Sequence, residues 1–258
     1  MPVICITNQK GGVGKTTTSA ALAHALTESG RRVLLVDWDP QASLTITLGI
    51  DPDNLKLTGY SALAAAIRNN HRPSLRDVVI PTSHPGIDLV PSNIELSQAE
   101  LDLVGAFTRE LILRDMVDPV RRTYDYILID CLPSLGLLTI NALSAADQVL
   151  IPLQADFLAM KGLALLLGTV IRVRDRLNQK LEIAGILFTM TNSRTLHCRE
   201  VMAVTRKAFG DRIKVFDTQV PSSVRFKEAP AAGGSILTYA PGSDGAEAYR
   251  LLAKEIMK

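Results

Sequence analysis

The residues best suited to chemistry stand in one short run, Lys10-Gly11-Gly12-Val13-Gly14-Lys15-Thr16-Thr17, shortly after the apolar stretch Val3-Ile4-Cys5-Ile6. A strand that ends in a glycine-rich turn and opens a helix aims several backbone N–H groups at one point, where the helix dipole adds positive potential. That arrangement suits a nucleotide phosphate. Gly11, Gly12 and Gly14 allow close approach of the backbone, Lys15 is placed to reach the β- and γ-phosphates, and Thr16 offers a hydroxyl to Mg²⁺. An ordinary glycine-rich turn with two solvated lysines is the plain alternative. The strand before the run and the helix expected from Thr16 to about Glu28, stopping near Gly30, count against it. One position departs from the general pattern: Gln9 stands where a first glycine is usual, and Lys10 adds a second lysine at the start of the loop.

Carboxylates at the ends of apolar runs form the second group. Asp37 and Asp39 follow Val33-Leu34-Leu35-Val36, and Asp130 follows Tyr126-Ile127-Leu128-Ile129. An Asp closing an apolar strand beside a phosphate loop can bind Mg²⁺ or its water shell, the role expected of Asp130. A lone Asp after a strand otherwise serves as a turn or cap residue.

Positioning these groups requires strands that end together. The expected strands are Val3–Thr7, Arg32–Asp37, Ile87–Val90, Tyr126–Asp130, Gln148–Pro152, Ile183–Met190 and Lys214–Phe216, with helical periodicity in much of the intervals. Such apolar strands suit a parallel sheet covered on both faces, so the expected class is α/β: a doubly wound, mostly parallel sheet of the P-loop NTPase type. In such sheets ligands bind beyond the carboxyl ends of the strands.

The chain has 258 residues, 47% hydrophobic and 21% charged, enough for a large core. One ATPase domain spanning 1–258, without an N-terminal DNA-binding extension, is the expectation. No apolar run approaches a membrane span. Cys5, Cys131 and Cys198 are scattered and read as reduced packing residues. A net charge of +2 is too small to argue for nucleic acid on its own. Its distribution is more informative: between Arg194 and Lys214 six basic residues stand against two acidic ones. A solvated helix face would look the same.

The form of the loop, with lysines at both 10 and 15, resembles the deviant Walker A motif of the ParA/MinD group of ATPases. The match continues through Asp37-Trp38-Asp39-Pro40-Gln41, similar to the switch I signature of ParA-type partition ATPases. It extends through Tyr124–Gly136, Gly185–Thr195 and Val220–Arg225 with Glu228-Ala229-Pro230. The resemblance implies that Lys10 reaches the partner's nucleotide across a homodimer, that Asp39 positions the attacking water, and that Asp37 supports the Mg²⁺ held by Thr16 and Asp130. Catalytic roles fall to Lys10, Lys15 and Asp39. Residues Lys10 to Thr17, with Asn192 and Pro221, are implied to hold ATP. It further implies non-specific DNA binding through Arg194 and Arg225, with Arg199 and Lys227 as further candidates. A ParB-like activator and a cytoplasmic, nucleoid-associated location follow from the same likeness. Leu132, Asn192 and Ser222 depart from the residues usual at their positions.

Three other readings share the loop. A MinD-like regulator would bind membrane through its last helix, but Tyr249, Leu252, Ala253 and Ile256 read as a core-facing stripe rather than an anchor. A redox or amide-forming relative is the next; a cluster-bearing protein would need cysteines able to hold a cluster between subunits, and Cys131, the sole tempting candidate, reads as a packing residue. A ParA-type ATPase that positions a non-DNA cargo on the nucleoid is the last.

Overall fold

The computed structural model describes residues 1–69, 74–192 and 194–258. Its centre is one eight-stranded sheet made of β1 (Val3–Ile6), β2 (Val33–Trp38), β3 (Ile80–Pro81), β4 (Ile87–Val90), β5 (Tyr126–Cys131), β6 (Gln148–Gln154), β7 (Glu182–Thr191) and β8 (Val215–Pro221). Their order across the sheet is β3-β4-β2-β5-β1-β6-β7-β8. Every pairing is parallel except that of β3 with β4. The eight strands include all seven expected from the sequence. The short β3 escaped because two residues carry no periodicity. The last strand runs beyond Phe216 because Phe216, Thr218 and Val220 turn inward while Asp217 faces solvent, an alternation that an apolar run does not reveal.

Helices cover both faces. One carries α1 (Lys15–Glu28), α2 (Ser43–Thr47), α10 (Ile236–Tyr239) and α11 (Asp244–Ile256); the other carries α3 (Gly59–Asn69), α4 (Ala99–Val104), α5 (Ile112–Val117), α6 (Leu137–Ala145), α7 (Phe157–Arg176) and α8 (Leu196–Phe209). A four-residue helix, α9 (Arg225–Glu228), follows β8. Successive strand residues point to opposite faces, and the two cores divide accordingly. Ile4, Ile6, Leu35 and Leu128 join the α1 side, whereas Cys5, Val36, Trp38 and Ile129 join the other. Helix α1 is sheathed by protein from Thr18 to Leu26, which its run of small residues permits. Helix α11 buries Tyr249, Leu252 and Ala253 against that core, so the stripe faces inward. Among the described residues no helix is long and apolar enough to cross a membrane.

Candidate nucleotide site

Beyond the carboxyl ends of the central strands lies a cleft of about 510 Å³. Gly11, Gly12, Gly14, Lys15, Thr16 and Thr17 form one wall, with Asp39, Pro133, Met190 and Pro230 among the residues facing it. The loop between β1 and α1 takes its shape from two glycines: Gly12 at φ 73° and Gly14 at φ 86°, a left-handed conformation that side chains resist. Gly14 occupies the cap position of α1 without a side chain of its own, so the first N–H groups of the helix open toward the cleft. Val13 differs from its neighbours. Its side chain is buried and its carbonyl accepts from Thr189 Oγ1 at 2.8 Å, pinning the loop to β7.

The two lysines of the loop have different surroundings. Lys15 is buried, and its Nζ donates to the Lys10 carbonyl at 3.2 Å. Burial lowers its pKa, against the pull of the Asp130 carboxylate. Lys10 is about one-third exposed at the rim and forms an ion pair with Asp156 at 2.9 Å. Asp156 follows β6, the same post-strand position that drew attention to Asp37 and Asp130; that rule, applied once more, would have found it.

Strand register brings the acids together. Asp37 and Asp130 are paired neighbours on β2 and β5, and Asp130 also pairs with Ile6 of β1. Both are fully buried. Asp37 Oδ2 accepts from the N–H and hydroxyl of Thr45, at 2.8 and 2.7 Å, while its Oδ1 has no partner. Asp130 Oδ1 accepts from Ser19 at 2.9 Å, and its Oδ2 likewise has none. Desolvation, reinforced by the neighbouring Asp130 charge, pushes Asp37 up to about 8 despite the Thr45 bonds. Burial pushes Asp130 up to about 6, opposed by hydrogen bonds from Thr16 and Ser19 and by Lys15. Two buried carboxylate oxygens without donors are costly in isolation, and a bound cation would reverse that cost. Thr16 and this pair therefore fit Mg²⁺. Among the described residues no cluster of three or more His, Cys, Asp or Glu forms a closed cage, which is in keeping with a cation that leaves most of its positions to water and phosphate. Asp39 lines the cleft from the opposite side, with Oδ1 accepting from Gln41 N–H at 2.9 Å. Thr45 and Ser19 were not legible as site residues, since serines and threonines are common in helices and caps.

A smaller hollow of about 90 Å³ adjoins the loop, bounded by Gly14, Thr17, Met190, Pro221, Phe226 and Lys227 among others. Pro221 thus lies beside the phosphate loop. Asn192 is not among the residues lining either space. It is exposed, and its Oδ1 accepts from Arg194 N–H at 3.1 Å, closing a turn after β7.

The basic stretch also divides. Arg194, Arg199, Arg225 and Lys227 are exposed. Arg206, by contrast, donates to the carbonyls of Val215 and Phe216 and lies over the Phe188 ring, and Lys214 sits 4.5 Å from the Phe216 ring centroid near Glu255. Two of the six basic residues are therefore engaged in packing. Cys131 is buried with its Sγ 3.3 Å from that of Cys5, a position from which it offers nothing to a cluster between subunits.

Comparison with known proteins decides the family. A family model described as an AAA domain matches residues 1–183. The sporulation initiation inhibitor protein Soj of Bacillus subtilis is 45% identical over 98% of this chain and 97% of its own, and the chromosome partitioning protein ParA of Myxococcus xanthus is 46% identical over 99% and 88%. The chain belongs to the ParA/Soj family of ATPases. A crystal structure of cobyrinic acid a,c-diamide synthase from Mycobacterium smegmatis with bound ADP and magnesium superposes with a TM-score of 0.82 at 37% identity, covering 98% of this chain and 93% of that one. The ParA/Soj assignment makes the protein an ATP hydrolase, with ATP and Mg²⁺ as its nucleotide and cation. The loop, Asp37 and Asp130 stand together at the carboxyl ends of β1, β2 and β5.

Proposed function

We propose that this ParA/Soj ATPase, acting as a single ATPase unit, is a DNA-partition switch: ATP-bound copies pair with two nucleotides between them, and the pair binds double-stranded DNA without sequence preference. Slow Mg²⁺-dependent hydrolysis, stimulated by a ParB-like partner, releases the DNA. The observation that carries this reading is the unlike placement of the two loop lysines. Lys15 is buried under its own loop, where it serves its own phosphates, while Lys10 stands at the open rim, where a second copy's nucleotide would meet it.

In this reading Lys10 to Thr17 cradle the phosphates, with Pro221 on the side of the base. Thr16, Asp37 and Asp130 hold Mg²⁺, and the cation supplies charge stabilisation at the phosphates. Asp39 orients the attacking water. Phosphoryl transfer asks a protein chiefly to position groups and to stabilise charge, and both lysines do the latter. Arg194, Arg199, Arg225 and Lys227 are the candidates for phosphate contacts with DNA, which require positive charge and no base readout. Since the family's members act in the cytoplasm on the nucleoid, the same location is proposed here.

The test is binding to a non-specific DNA duplex with ATP, with ADP and without nucleotide, across salt concentrations. Binding with ATP alone, weakening steeply as salt rises, is the expected result. Equal binding in all three states overturns the proposal. The likeness to the cobyrinic acid a,c-diamide synthase favours a second reading, an amide-forming synthetase. ATP hydrolysis that demands a carboxylic acid and an amine donor, and that ignores DNA, would select it.

A further inference from the structure

Helix α4 buries Ala99 and Leu103 in the core but is unusual at three other positions. Leu101 and Val104 are 68% and 60% exposed, whereas the acidic Glu100 turns inward. Its carboxylate meets the start of α6: Oε2 accepts from Leu137 N–H at 3.4 Å and Oε1 from Leu138 N–H at 3.3 Å. Glu100 thereby caps a helix that has no side-chain cap of its own, since Gly136 holds the cap position. A Cβ at Gly136 would lie 2.4 Å from Glu100 Oε1, so the absence of a side chain there makes room for the carboxylate. Gly136 has φ −76°, which any residue adopts; close approach, not backbone freedom, is what the glycine supplies.

The same turn is held from a second direction. Trp38 is fully buried at the end of β2, and its Nε1–H donates to the Leu138 carbonyl at 3.1 Å. Asp37, the residue before Trp38, is the buried partner of Asp130, and Asp39, the residue after it, lines the nucleotide cleft. So does Pro133, three residues before Gly136. The first turn of α6 therefore links the segment after β2 with the segment after β5, and Glu100 fixes that turn in place.

We propose that Glu100 is a positioning residue for ATP hydrolysis: by capping α6 it holds the Trp38–Leu138 bridge, and through it sets Asp39 and Pro133 against the cleft. The inference rests on ATP hydrolysis in that cleft and is independent of DNA binding, so its test contains no DNA. Trp38 is the one tryptophan of the chain, and its emission reports on the bridge. Glu100→Ala and Gly136→Ala, the latter evicting the carboxylate while leaving it in the sequence, are compared with wild type. Expected in both is a fall in kcat of roughly two- to tenfold, the range of a carboxylate at a helix N-terminus, with little change in KM. The change in Trp38 emission on adding ATP and Mg²⁺ should shrink in parallel. Glu100→Gln, which keeps one acceptor oxygen at the same reach, should recover part of both signals. Wild-type kcat and emission response in the two alanine variants would overturn the proposal, as would a loss confined to KM or to thermal stability. A protein that binds no ATP at all would instead contradict the nucleotide assignment.

Discussion

The nucleotide cleft and the basic face formed by α8 and the end of β8 are built on opposite principles. In the cleft, charged groups are buried and their positions are set by strand register: Asp37 beside Asp130, with Lys15 beneath the loop. On the basic face the charges are exposed and independent, except where Arg206 and Lys214 have been drawn into packing. Removing one buried group leaves others without a counter-charge; removing one exposed arginine leaves its neighbours unaffected. The cleft should therefore respond to substitution steeply, and the basic face gradually.

The largest effect is expected at Lys15. Lys15→Ala should lower kcat/KM for ATP by about 10²–10³-fold, the scale of removing one preorganised donor to developing charge. A loss below about tenfold, read from steady-state hydrolysis, would mean that the loop does not concentrate its chemistry in that side chain. Next comes a pH effect on the cleft's supporting helix. His24 in α1 is buried against His84, with Nδ1 at 2.8 Å from the Ala20 carbonyl, and desolvation lowers its pKa to about 4. The unfolded chain takes up this proton near pH 6.5 and the folded chain does so only near 4. The His24 contribution to stability is accordingly intact above pH 6.5 and is lost as the pH drops from there to about 4, by at most about 3 kcal/mol, while the raised pKa values of Asp37 and Asp130 act in the opposite sense over the same range. Urea titrations at pH 7 and pH 4.5 should show the wild type losing stability relative to His24→Gln as the pH falls, since the Asp37 and Asp130 contributions are common to both and cancel in the difference.

Smaller effects separate the two kinds of arginine on the basic face. Arg206→Ala loses two bonds to carbonyls and its contact with Phe188, and should cost roughly 1–2 kcal/mol in denaturant unfolding. Arg199→Ala and Arg194→Ala should leave stability within about 0.5 kcal/mol. Each should instead reduce the slope of log K for DNA against log salt by about one. If Arg199→Ala unfolds the protein, or Arg206→Ala alters only the salt slope, the division drawn between them is wrong.

The cleft was legible in the sequence because its parts are local. Lys10 to Thr17 form one contiguous run, and Asp37 and Asp130 each close an apolar strand, so spacing alone marks them. Parallel pairing of those strands then brings their ends together without further instruction. Thr45 obeys tertiary geometry that no motif records, and Glu100 is invisible because an acid on a short surface helix normally faces water. Asn192 illustrates the difficulty: a short polar side chain after a strand can serve a ligand or its own turn, and in the structure it accepts from the Arg194 N–H. The count of basic residues was correct, but the aromatic rings and carbonyls that take up Arg206 and Lys214 belong to β7 and β8 and to α11.

The antiparallel β3 has a bearing on how copies can assemble. It is two residues long, and its second residue, Pro81, has no N–H to offer. An outer strand of this kind gives another chain almost nothing to hydrogen-bond, which protects a strongly apolar sheet from growing edge to edge. On this side of the molecule the sheet is closed to extension by a neighbour. This fits the pairing proposed above, in which two copies meet through the side chains around the rim of the cleft, where the state of the nucleotide would control it.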